Sequence, residues 1–260
     1  MGGRGRAFLI TSGLSSINFY ENYNNETYTK KPTQNTDYLK NKKYTWTMSS
    51  TDKFNRTLMN SQTQFLSNLT KEYKTTSDLL SDDNNLRIRA INFKRPSIFA
   101  AFVSPANGKY EKLQIVFNNQ AMDKSIKDIE KSELDYQENH QFAPSDKNML
   151  INKTLAHEYG HFVEKTLIEQ DSKDNPKLKF NNSYDYNKYY MKKSKEIYNE
   201  IYQIKKEKFD DESRKRISKY AYDNYAENFA EIFCNLTTSK NPTNWGKAMK
   251  EYLRRKGICE

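Results

Sequence analysis

The chain has 260 residues, enough to bury a core as one domain or slightly more. Its 43 Lys and Arg against 33 Asp and Glu leave a net charge of +10. The lysines are spread along the chain and no basic cluster is interleaved with aromatics, so nucleic acid is not an expected partner. Two cysteines outside CxxC spacing exclude a disulfide framework and a zinc knuckle, leaving at most one disulfide, Cys234 with Cys259, and no apolar run approaches the length of a membrane-spanning helix.

Hydrophobic residues are only 35% of the chain, but 19 Tyr and 14 Phe each supply a large apolar area. A folded core with a loose polar segment accounts for both. That segment is residues 1 to 45, rich in Asn, Thr, Tyr, Lys and Gly and without a sustained period, read as a flexible lead to a domain over 46–260. The basic start Met1 to Arg6 precedes an apolar run, Ala7 to Ile10, too short for a signal-peptide core. Arg6 also stands where N-myristoylation wants Ser or Thr. The expectation is a cytoplasmic chain, or one exported or delivered by a non-classical route.

From Ser50 to Tyr73, Phe54, Leu58, Phe65, Leu69 and Tyr73 fall near helical spacing, with Ser49, Ser50 or Thr51 as cap. Ser81 to Asn85 reads as a loop. Leu86–Phe93, Ser97–Val103 and Leu113–Asn118 read as strands, with a turn at Pro105 to Gly108. Together they predict a small antiparallel sheet. Residues 119–146 are charge-rich, and His140 reads as a loop histidine rather than a ligand.

The next helix, from Asp146 or Lys147 to about Glu169, carries His157-Glu158-Tyr159-Gly160-His161. Histidines four apart lie on one helix face, one turn above the other, and can reach one small ion, most often zinc. Glu158 is about 60° around the axis from His161, beside that face, where a general base belongs. The plain alternative is an amphipathic helix with two surface histidines. Against it, the chain has three histidines and two are in this pattern. Leu155, Ala156, Tyr159, Phe162 and Val163 form an apolar face opposite them. Gly160 costs the helix ~1 kcal/mol relative to Ala; close approach by a neighbour and a merely tolerated glycine both remain open.

Residues 171–186 read as a polar loop and Tyr189–Phe209 as a Lys-rich helix, with Tyr190, Ile197, Ile201 and Ile204 inward. Catalytic zinc takes three protein ligands. Residues 218–233 offer candidates on a helix where Tyr225, Phe229, Ile232 and Phe233 recur at helical spacing. Glu227 and Glu231 share a face, and Asp223 joins it if the helix starts there. One carboxylate as ligand and another accepting the N–H of a ligating histidine explains acids on so apolar a helix.

His157-Glu158-Tyr159-Gly160-His161, with Tyr220-Ala221 and then Glu227-Asn228-Phe229-Ala230-Glu231-Ile232-Phe233, resembles gluzincin metalloproteases of the anthrax lethal factor type. The resemblance covers roughly residues 147–235, and it departs where the family often has two phenylalanines and this chain has Asn228-Phe229. It implies an α+β, zincin-like fold: a small, mostly antiparallel sheet and active-site helix over 46–169, then a helical subdomain over 170–260. It implies Glu227 as third ligand to one zinc per chain, Glu231 as its companion, and Tyr220 as the phenol that stabilises the oxyanion or protonates the leaving amine. Some relatives are toxins or domains of phage-encoded and mobile-element proteins.

The expected activity is peptide hydrolysis with Glu158 as general base and a protein or peptide substrate, extended along a strand edge, taken as Leu113–Asn118. The rival readings are a basic, non-catalytic binding module with an incidental or structural metal, and a decayed protease serving as an interaction domain.

Overall fold

Two helices without a solvent face lie at the centre of the fold, and the residues proposed above to hold a metal are on them. In the computed structural model of the chain, the described residues are 40–41, 44–47, 56–73, 86–91, 99–103, 114–118, 124–173, 180, 183–206 and 211–260. The chain is mostly helical there, with one small sheet. Strands β1 (Lys40–Asn41) and β2 (Tyr44–Thr47) precede helix α1 (Arg56–Glu72). Strands β3 (Leu86–Ile91), β4 (Ala100–Val103) and β5 (Gln114–Asn118) lead to α2 (Ile126–Glu138). A 3₁₀ segment, Lys147–Asn152, runs into α3 (Lys153–Lys173), followed by α4 (Ser183–Lys205) and α5 (Asp211–Lys215). A 3₁₀ turn, Tyr220–Tyr222, precedes α6 (Tyr225–Thr238) and α7 (Asn244–Arg255).

The sheet corrects the expectation of a mostly antiparallel arrangement. Its order is β1-β2-β3-β5-β4, and it is mixed. β2 with β3 and β3 with β5 are parallel; β1 with β2 and β4 with β5 are antiparallel. The chain passes beyond the position of β5 to lay β4 at the edge, then returns to insert β5. Period-2 alternation records which side chains share a face but not the direction of the neighbouring strand. The sheet also begins at Lys40, ahead of residue 46. The expected helix caps at Ser49 to Thr51, the loop at Ser81 to Asn85, the turn at Pro105 to Gly108, and residues 1–39 lie outside the described residues.

α3 starts later and ends further on than its pattern suggested. The residues expected to open it form the 3₁₀ segment, and its end at Lys173 extends into the expected loop. It is also not amphipathic. From Asn152 to Thr166 every residue is buried, on both faces. A helix buried all round belongs to the core of a fold. Several of its charged groups find buried partners: Lys165 Nζ lies 2.7 Å from Glu169 and is bonded to the Tyr186 hydroxyl, and the Tyr190 hydroxyl donates to Glu164 at 2.9 Å. α4 buries Tyr186, Tyr190, Ile197, Tyr198, Ile201 and Tyr202 against this core, while Lys192 and Lys195 face solvent. Three helices have no counterpart in the sequence reading, α2, α5 and α7.

α6 is the second buried helix, with Ala226 to Leu236 all inside. It packs along α3, and Gly160 marks the crossing. A Cβ on Gly160 would stand 3.0 Å from the Cα of Ala230 and 3.2 Å from the Cβ of Phe233. Close approach, not tolerance, therefore explains the glycine, because backbone at that distance has to move. We expect Gly160→Ala to lower stability by about 1–3 kcal/mol through overpacking, although alanine alone favours a helix by ~1 kcal/mol. Denaturant melts with an unchanged slope report it; an unchanged midpoint would mean that the helices part freely. Cys234 and Cys259 are separate thiols, with Cys234 buried and donating to the Lys153 carbonyl. Among the described residues, no helix is long and apolar enough to cross a membrane.

Candidate metal centre

The crossing of α3 and α6 brings His157 and His161 against Glu227. His157 Nε2 is 3.0 Å from Glu227 Oε2 and 3.1 Å from His161 Nε2, and His161 Nε2 is 3.5 Å from Glu227 Oε2. The histidines meet because four residues is one turn of α3. Glu227 meets them because Asn224 sets where α6 begins. Its side chain accepts from the amides of Ala226 and Glu227, both at 3.0 Å, and caps the helix three residues before the acid. Asp223, considered above for the same face, lies ahead of the cap and is exposed, so it does not belong to the site.

Glu231, one turn along α6, reaches the other ring nitrogen of His157. Its Oε1 is 2.9 Å from Nδ1, and its Oε2 accepts from the Ala143 amide and from Ser218 Oγ. With only acceptors at Glu231, His157 Nδ1 carries its proton. In the neutral ring, Nε2 then turns a lone pair toward the Glu227 carboxylate and His161 Nε2. Glu227 and His157 thus turn two acceptors toward His161 Nε2, leaving a place that a proton or a cation fills. The spacing of the three atoms suits a cation: ligand atoms around tetrahedral zinc with bonds of ~2.0–2.1 Å lie about 3.3 Å apart. His157, His161 and Glu227 are all buried, and they are the one group among the described residues whose ligand atoms converge in this way. The donor set fits a divalent metal and does not by itself identify which.

Without a metal, a proton takes that place. Burial pulls His157 down, but hydrogen bonds to Glu227 and Glu231 outweigh it and hold the imidazole at about 10. Burial pushes Glu227 up, and hydrogen bonds to the two histidines overcome this to about 2. His161 is lowered, mainly by burial. A raised histidine stabilises the metal-free fold fully below its unfolded pKa of ~6.5, and that stability is lost as pH rises through about 10. A metal displaces the same proton. We therefore expect metal affinity to rise about tenfold per unit between about pH 7 and 9, as metal titrations at stepped pH would show. A flat response would mean that the metal does not displace the His157 proton.

Glu158 is beside the triad and outside it. One carboxylate oxygen accepts the Phe102 amide of β4, and Oε1 is buried with no hydrogen-bond partner. Burial is the main force pushing it up to about 8. Tyr220 lies over His157, with ring centroids 5.6 Å apart. Burial, and then the Glu227 carboxylate its hydroxyl is bonded to, hold the phenol well above its ordinary range.

No protein-family model, curated protein or solved structure matches this chain.

The structure thus gathers His157, Glu158, His161, Tyr220, Glu227 and Glu231 in one place. His140 is apart from them, exposed and in the left-handed region at φ 55, beyond the end of α2. The expected edge strand is corrected: β5 is interior, and β4 is at the edge. Because the Asn118 amide bonds the Phe99 carbonyl at 2.9 Å, the alternation turns the amide and carbonyl groups of Ala100 and Phe102 away from β5. Three participants escaped the sequence reading. Ser218 has the signature of a Ser-x-x turn, closing on the Ala221 amide at 3.0 Å, and was open to detection. The amides of Phe102 and Ala143 are backbone groups, and no residue type announces them.

Proposed function

We propose that the chain is a zinc-dependent endopeptidase with a zincin-like fold of the lethal factor type. What supports this most is the convergence of His157, His161 and Glu227 with a carboxylate, Glu158, beside them that has an unpartnered buried oxygen. Such an oxygen is costly to bury, and this one lies on the residue next to the ligand His157. Zinc, when held by the three residues, supplies a Lewis acid and lowers the pKa of a water to ~7.

The other steps belong to the chain. Glu158 Oε1 takes a proton from the attacking water and passes it to the leaving amine. The Tyr220 hydroxyl gives up Glu227 and donates to the carbonyl oxygen as charge develops there. The β4 edge aligns an extended peptide by adding a strand through the outward amide and carbonyl of Ala100 and the outward carbonyl of Phe102, whose amide holds Glu158. Because Glu158 and the triad are buried, a peptide has to displace the groups that cover them.

The test is digestion of unfolded casein and a mixed peptide library by protein loaded with one zinc per chain. Cleavage that stops with a chelator and returns with zinc is expected. Intact substrates throughout would overturn the reading and favour a non-catalytic module.

A further inference from the structure

Resting on that reading, we infer that Ser218 is the positioning residue that ties the metal ligand His157 to the turn carrying Tyr220. Ser218 is fully buried and its hydroxyl works in both directions. It donates to Glu231 Oε2 at 2.9 Å and accepts the Ala221 amide at 3.0 Å. Glu231 in turn holds His157 Nδ1 at 2.9 Å. An unbroken path of hydrogen bonds thus runs from the imidazole through Glu231 and Ser218 to the 3₁₀ turn Tyr220–Tyr222.

The remaining contacts of that turn make the link specific. The Lys219 amide bonds the His140 carbonyl at 2.9 Å and the Tyr220 amide bonds the Gln141 carbonyl at 3.0 Å. The same loop supplies the Ala143 amide to Glu231 and the Phe142 ring, edge-on to Tyr220 at 5.4 Å. Glu231 therefore gathers a histidine from α3, the loop after α2 and the turn before α6. Of these donors, Ser218 is the one whose own hydroxyl also accepts an amide of the Tyr220 turn. Without its hydroxyl, Glu231 Oε2 keeps only the Ala143 amide and is held less firmly against His157, and the Tyr220 turn loses the acceptor of its Ala221 amide.

The test uses the full chain and cobalt(II) as probe, with affinity read by competition against a chromophoric chelator and geometry by the visible absorption bands. Ser218→Ala is expected to weaken cobalt binding about 10–100-fold, as loss of an outer hydrogen-bond partner of a ligand does, and to shift the bands. Ser218→Thr, which keeps the hydroxyl, should restore both. Glu231→Gln should weaken binding too, and adding Ser218→Ala to it should cost little more, because the two act through one path. With zinc saturating, Ser218→Ala should lower kcat for a library-derived peptide about tenfold with KM within about twofold. Wild-type bands and affinity in Ser218→Ala, or full additivity with Glu231→Gln, would overturn the inference while leaving the metal site standing. Wild-type protein that takes up no cobalt would overturn the metal reading and this inference together.

Discussion

Glu158→Gln should retain its metal and lose peptide hydrolysis by about 10²–10⁴-fold, the usual contribution of a positioned general base. The substitution keeps the side chain's shape and an oxygen for the Phe102 amide, and it touches none of the three converging atoms. What it removes is the ability to take a proton. The environment of Glu158 suits that task. In the metal-free protein burial lifts its pKa to about 8, and a cation held by the neighbouring triad would draw it down toward the range of a working base. Because the base must be ionised, activity should rise with pH through this group's titration and should not do so in the variant. Metal analysis beside a peptide assay decides the matter. Equal turnover by variant and wild type would remove Glu158 from the chemistry.

The second large effect separates the two glutamates of α6. Glu227→Ala should abolish measurable metal uptake, whereas Glu231→Ala should weaken it about 10–100-fold. The geometry gives them different neighbours. Glu227 Oε2 faces both Nε2 atoms, and Glu231 touches only the far nitrogen of His157. Stability should rank the other way. Glu231→Ala strands the Ala143 amide, the Ser218 hydroxyl and His157 Nδ1–H in the interior, at about 1–3 kcal/mol for each buried donor left without an acceptor. Elemental analysis with denaturant melts of both variants reads the two scales at once. If Glu231→Ala were the variant that loses all its metal, the third ligand would be Glu231.

How far the site could be read from sequence follows from what each residue's position depends on. His157, Glu158 and His161 are legible because their relation is set by one helix turn. Glu227 and Glu231 are legible as a pair for the same reason, but their division of labour depends on the angle at which α6 crosses α3. Gly160, ambiguous in sequence, fixes that crossing. Asp223 looked eligible because nothing in its neighbourhood announces that Asn224, one residue later, caps the helix. Nothing local to Glu164 and Lys165 shows that they are buried. Their burial depends on Tyr186 and Tyr190, supplied by another helix.

The fold was legible where local period decides and hidden where pairing does. The cores of α1 and α4 follow their apolar spacing. α2 was hidden because only Ile129 and Glu133 of its residues are buried, too thin a stripe to stand out among charges. The direction of β3 against β5, and the place of β4 at the edge, are choices between distant segments with the same alternation.

The most direct test of the central claim is metal content by elemental analysis, on wild type and His157→Ala prepared side by side. Near one zinc per chain in wild type, with little or none in the variant, is the expected result. No zinc in wild type even after reconstitution, or equal zinc in both proteins, would contradict a metal centre at the crossing of α3 and α6.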